Sequence, residues 1–325
     1  LICNRFGCTY YNMSAADKSR KYQPLFFAEQ NLRHFIFLFP TLAKKCPCCY
    51  TIIKTQNGSL SVYAHHQRSI QNLKGYYEGQ EGVIAAVLDG SVVKGTARPD
   101  SDIDAIVVVT EEKFAKLKEE GRMTELVFGH CTYEGGYFDI KYKTKALLEE
   151  AAERASEPTR NAYVKAKVLF SSDPDIAPLV SRIAAYPEKE RAKKILCFQA
   201  NLELNRGYFL NCVPAGNAYM RAHLAQEIVY SVYRLILAEN RVLFPCNRRL
   251  EEAVSGCVRR PENILALGAA FLKEISKENC DAFVSAFLQT TELNMDVPMN
   301  EILSAYTLYY EDWWRENVLP FPNEW

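Results

Sequence analysis

Apolar positions fall in two successive patterns along this chain. Val83–Leu88 (VIAAVL) and Ala105–Val109 (AIVVV) are short, β-branched runs bounded by turn residues, the mark of buried strands. A helical pattern over about 62–79 leads into the first of them. Glu111–Glu120 (EEKFAKLKEE) predicts an amphipathic helix with Phe114 and Leu117 on one face and Gly121 as its stop. Leu126–Tyr133 and Tyr137–Thr144 then alternate as strands joined through Glu134-Gly135-Gly136. From Lys145 the spacing turns helical. Leu147, Leu148, Ala151 and Ala152 form a stripe that stops before Glu157-Pro158, and Lys167–Phe170 reads as a short strand or a helix end. After the Ser171–Pro174 breaker, helices are expected over about 188–211, 216–240, 261–276, 279–291 and 299–316. The pattern predicts an α+β protein in three parts. Residues 1–57 form a poorly readable extension, 58–145 a small mixed-sheet domain, and 146–325 an all-helical domain.

Composition narrows the class. The 325 residues are 48% hydrophobic and 24% charged, as in globular proteins, and 39 basic residues balance 39 acidic ones. That balance gives no overall attraction to nucleic acid or to an anionic membrane, and no apolar run is long enough to span a bilayer. The eleven cysteines are scattered, which suits reduced thiols and a cytoplasmic setting. Cys46-Pro47-Cys48-Cys49 contains one CxxC, and Cys3 and Cys8 do not supply the second that a zinc module needs. His65-His66 diverge by about 100° on a helix and are expected to be partly exposed polar side chains.

The chemistry concentrates between Val83 and Val109. Gly90-Ser91 breaks the first strand, a polar loop with Gly95 and Pro99 follows, and Ser101-Asp102-Ile103-Asp104 feeds the second strand. On a strand, residues two apart share a face, so Asp102 and Asp104 project together while Ile103 turns into the core. Paired carboxylates repel and lose hydration, which a cation relieves, and hard oxygen ligands suit Mg²⁺. A glycine lets the backbone approach phosphate closely, and the serine hydroxyl adds a donor.

The segment GSVVKGTARPDSDID resembles the signature of the DNA polymerase β-like nucleotidyltransferase superfamily, most closely its aminoglycoside- and lincosamide-type small-molecule branch. That resemblance implies a compact mixed sheet, a third carboxylate on a later strand and a helical domain on the acceptor side. Asp139, in the alternating stretch Tyr137–Tyr142, fits the third carboxylate. The reaction implied is transfer of a nucleoside monophosphate from a nucleoside triphosphate, ATP being expected, to a hydroxyl, with release of pyrophosphate. Asp102, Asp104 and Asp139 would hold two Mg²⁺ ions, and Gly90 and Ser91 would cradle phosphates. Lys94 and Arg98 would neutralise phosphate charge or lie solvated, and Ser101 would fix the loop or reach phosphate. Lys141 and Lys143 share the face of Asp139, where they touch phosphate or line a solvated edge.

A general base completes such a reaction. Glu227 is the candidate because it borders the apolar stripe Leu224, Ile228, Val232 and Leu235; pairing with an arginine is its alternative role. Glu203 and Asp139 are further choices. The acceptor expected is a small molecule, antibiotic-like or metabolic. A protein or RNA end, or a non-catalytic nucleotide-binding module, are the competing readings, and the intact aspartates speak against the last.

Overall fold

The computed structural model describes residues 63–315. The cysteine cluster at 46–49 and the rest of the extension lie outside them. Helix α1 (Ala64–Tyr77) runs into strand β1 (Val83–Leu88), and α2 (Gly90–Lys94) is a single turn where the sequence suggested only loop. Next come β2 (Ile103–Val109), α3 (Glu111–Glu119), β3 (Thr124–Phe128) and β4 (Tyr137–Lys143). Helix α3 starts on the Thr110 hydroxyl, which accepts the Lys113 N–H at 3.3 Å, and ends before Gly121 in the left-handed region at φ +69. After α4 (Lys145–Arg154) and α5 (Glu157–Tyr163), β5 (Lys167–Ser171) returns to the sheet, followed by α6 (Ile176–Ile183).

The five strands lie in the order β3-β4-β2-β1-β5, and only the β2–β4 pair is parallel. The edge strand β5 comes from beyond residue 145, where the composition had already turned helical. The β3–β4 connection also differs from the expected hairpin. Strand β3 stops at Phe128, paired with Tyr137, and 129–136 form a loop that folds back onto α1. There the Asn72 side chain donates to the His130 carbonyl at 2.8 Å and Thr132 N–H donates to Ser69 Oγ at 3.0 Å.

Each face of the sheet has its own core. Ile103, Ala105, Val107, Phe138 and Ile140 pack with Leu73 and Tyr77 of α1 and Leu117 of α3. On the opposite face, Val87, Ile106 and Val108 pack with Leu148 of α4, Tyr163 of α5 and Ile176, Leu179 and Ile183 of α6. Those three helices cover β5, β1 and β2. On that same face, Leu126 and Phe128 of β3 stay exposed.

The helical part follows the apolar spacing closely. Helix α7 spans Glu188–Asn211, α8 Ala218–Asn240, α9 Leu250–Ser255, α10 Ile264–Lys273, α11 Lys277–Leu288 and α12 Met299–Tyr306. Helix α12 ends short of the predicted 316 because the chain widens into a π turn over Thr307–Glu311. Helices α5, α6 and α9 were not anticipated; each is eight residues or shorter, too brief for periodicity to register.

A buried ionic joint ties α5 to this bundle. The Glu157 carboxylate, on a residue 3% exposed, receives Lys194 Nζ of α7 at 2.9 Å and the backbone N–H of Phe244 at 2.8 Å. Arg234 of α8 approaches it at 3.5 Å, with its guanidinium over the Phe198 and Phe244 rings. Buried charges persist only when paired and hydrogen-bonded in this way.

Candidate active site

Three aspartates converge where the strand ends meet. Asp104 lies opposite Asp139 across the parallel β2–β4 pair, and each of Asp102, Asp104 and Asp139 offers a carboxylate oxygen within 4.8 Å of the others. Ile103, between the first two, is fully buried on the other face. The alternation anticipated for this stretch is thus realised. Asp139 Oδ1 is buried with no hydrogen-bond partner, an orphaned acceptor on a member of the group. An orphaned carboxylate oxygen beside two more carboxylates fits a hard divalent cation.

A fourth carboxylate went unnoticed in the sequence. Asp89 follows β1, and its N–H donates to the Asp104 carbonyl at 3.1 Å, which continues the ladder and sets the two side by side. Burial pushes the Asp89 carboxyl up to about 7, helped by the Asp104 charge, while Lys141 and Lys94 oppose the rise. Burial likewise pushes Asp104 up to about 6, with Asp102 and Asp139 adding repulsion. In sequence Asp89 looks like an ordinary turn residue before Gly90; in the fold it is buried, and its charge adds to the burial that pushes the Tyr163 phenol up.

These shifts make the metal-free fold sensitive to pH. Carboxyls with folded pKa values above their unfolded ones favour the protonated fold, so their stability is full below about 4 and is lost as pH rises through 6 to 7. The metal-free protein should melt roughly 5 °C lower at pH 8 than at pH 5. Asp89→Asn should flatten that slope, as read by scanning calorimetry in a chelator. A melting temperature that climbs over this window would contradict the assignment.

Gly90 and Ser91 sit against Asp104. Gly90 adopts φ +72, and a Cβ there would meet Asp104 Oδ2 at 1.8 Å. The Ser91 N–H donates to the Asp104 carboxylate. Lys94 is half-buried: its ammonium donates to the Asn161 carbonyl at 2.8 Å and to Asn161 Oδ1 at 3.0 Å. Burial lowers its pKa, and it feels the charges of Asp89 and of Arg249, just before α9. Arg98 instead points to solvent and pairs with Asp100 at 3.0 Å, both highly exposed. Ser101 Oγ accepts the Arg98 N–H at 2.9 Å, which fixes the loop. Tyr137, across from Asp102, donates its hydroxyl to that carboxylate. Lys141 is exposed on the Asp139 face and Lys143 is partly buried.

Of the two histidines, His65 is partly exposed as expected and His66 is not. His66 is fully buried, with neither ring nitrogen hydrogen-bonded, and burial lowers its pKa. His65 is partly buried and reaches the Pro99 carbonyl at 2.8 Å. Both rings pack on Tyr133, whose hydroxyl donates to the Ser101 carbonyl. The 129–136 loop covers them, and the hairpin expected from sequence would have left them open. Among the described residues Glu227 pairs with no arginine: Asn201 Nδ2 donates to it at 3.0 Å, and its charge acts on Tyr306 and Tyr310. Glu203 is partly buried on α7. The contacts of Glu227 thus lie in a polar seam between α7 and α8 rather than with the aspartates.

Residues 70–167, from α1 to the start of β5, match the family model described as a nucleotidyltransferase domain. That stretch is a nucleotidyltransferase domain. A nucleoside triphosphate substrate follows from that match. Among solved structures, a nucleotidyltransferase-like protein from Exiguobacterium sibiricum is 11% identical, with 78% of this chain and 80% of that one covered at a TM-score of 0.42. A spectinomycin adenyltransferase from Enterococcus faecialis, crystallised with ATP and spectinomycin, is 13% identical, with 74% and 97% covered at a TM-score of 0.27. No curated protein matches the sequence. Among its described residues this nucleotidyltransferase has no helix long and apolar enough to cross a membrane.

Proposed function

We propose that the enzyme transfers a nucleoside monophosphate, with ATP as donor, to a hydroxyl of a small molecule in an Mg²⁺-dependent reaction that releases pyrophosphate. The convergence of Asp102, Asp104 and Asp139, with the orphaned Asp139 oxygen among them, carries this reading. The three carboxylates would hold two Mg²⁺ ions, with Asp139 on the acceptor side. Bound there, the metal supplies charge neutralisation at the phosphates and Lewis acidity.

The chain's own groups divide the remaining work. Lys94 and Arg249 bring positive charge from opposite parts of the fold to the phosphate side. Gly90 leaves room for Asp104 to swing onto its ligand, and Tyr137 orients Asp102. For the proton of the attacking hydroxyl, Asp139 lies in the group itself, whereas Glu227 spends its carboxylate on Asn201. Asp139 is therefore the better base of the two. A cytoplasmic setting fits this chemistry and the scattered thiols.

Thermal shift with ATP, GTP, CTP and UTP, each with and without Mg²⁺, tests the reading on the wild type and on Asp102→Ala. A nucleotide at a hundred times its Kd stabilises by about 2.7 kcal/mol. The expected result is an Mg²⁺-dependent shift, largest with ATP and lost in the variant. A folded wild type that responds to none of the four would overturn it.

A further inference from the structure

The register sets out two rows of side chains on one face of the sheet. In the first, Asp89, Asp104, Asp139 and Leu126 follow one another across β1, β2, β4 and β3. In the second, Asp102, Tyr137 and Phe128 do the same. Directly opposed residues share a face, so the carboxylates run without a break into an apolar ledge. Leu126 is 52% exposed and Phe128 64%, beside a sheet half that α4, α5 and α6 leave bare. Phe128 and Tyr137 stand tilted to each other with ring centroids 5.4 Å apart, so they form a shallow aromatic step.

The charges around the step select its occupant. Glu125 turns to the opposite face, where it accepts from the Tyr142 hydroxyl and from Arg122. The carboxylates bordering the ledge are those of the metal group, and the next row brings the cation Lys141 opposite Thr124. With those carboxylates taken up by cations, Leu126 and Phe128 offer a polycationic acceptor no counter-charge of their own, whereas a neutral flat ring gains two apolar neighbours. Resting on the nucleotidyl-transfer reading, we infer that Phe128 and Leu126 are specificity-determining residues for an acceptor that carries its hydroxyl next to an apolar, planar ring. The ring lies on the ledge and the hydroxyl reaches the Asp139 side of the metal group. Aromatic faces and exposed aliphatic side chains favour such stacking over hydration.

A matched pair of probes tests this: 4-nitrophenyl β-glucoside and methyl β-glucoside, which present the same hydroxyls and differ in the ring. Saturation-transfer NMR titrations with the full chain, Mg²⁺ and a non-hydrolysable ATP analogue give both affinities. The aryl glucoside should bind at least about tenfold more tightly, equivalent to about 1.4 kcal/mol. Phe128→Ser and Leu126→Ser, both at exposed positions, should each cut that preference by about threefold or more. Equal affinity of the two probes, no binding of the aryl probe, or a preference that survives in both variants would overturn the inference. The wild-type Mg²⁺–ATP shift separates the two failures. If the shift is present without an aryl preference, only the ledge is rejected; if the shift is absent, nucleotidyl transfer itself is rejected.

Discussion

Gly90→Ala should lower nucleotidyl transfer by at least about a thousandfold, a barrier increase of about 4 kcal/mol. Two independent constraints act on this position. Its φ of +72 is a conformation that L side chains rarely adopt, and the added Cβ would lie 1.8 Å from Asp104 Oδ2 and 2.4 Å from its Cγ. Neither neighbour yields cheaply. Asp104 is fixed in the β2 ladder and opposes Asp139, so its carboxylate must rotate away from the group it belongs to. Loss of transfer should therefore come with loss of the Mg²⁺-dependent part of the nucleotide shift, while circular dichroism stays native. A Gly90→Ala enzyme with wild-type turnover would show that the carboxylate adapts and that the close approach has no role.

Asp104→Asn should be at least as damaging to turnover, by about ten-thousandfold, and yet stabilise the metal-free protein. Burial raises the cost of ionising Asp104, Asp102 and Asp139 add to it, and the Asp104 charge in turn raises that of Asp89. Removing that charge relieves repulsion at neutral pH but takes away a metal ligand. The opposite signs distinguish a ligand from a structural residue. Single-turnover transfer rates and melting temperatures at pH 7.5 without metal provide the two readings. A variant that melts lower than wild type and remains active would contradict both parts.

The legible parts of this molecule were those where one local rule sufficed. Strand β1 and helix α7 fall on the residues expected, because a β-branched run between turn residues and a long 3.6-residue stripe leave little choice. The α+β class and the alternation of Asp102, Ile103 and Asp104 followed in the same way. What escaped depends on partners far along the chain. Asp89 is buried within electrostatic reach of Tyr163, more than seventy positions on. The burial of His66 needs a loop at 129–136, whose Gly135-Gly136 suggested a tighter turn than the one formed. Glu227 borders the expected apolar stripe, but its polar neighbours come from α7, which no reading of α8 alone reveals. The ledge on β3 was readable as a strand; its place in the row of carboxylates became visible only with the register.

Helix α5 links two things that sequence keeps apart. Asn161, near one end, holds Lys94, proposed above to face the phosphates, and Glu157, at the other, is locked into α7, α8 and the Phe244 backbone. Seven residues thus transmit the integrity of the bundle to the reacting centre. This limits how the enzyme changes over generations. A substitution that loosens the grip on Glu157 displaces Lys94 as well. The packing of the bundle and the placement of that lysine are inherited together through one short helix.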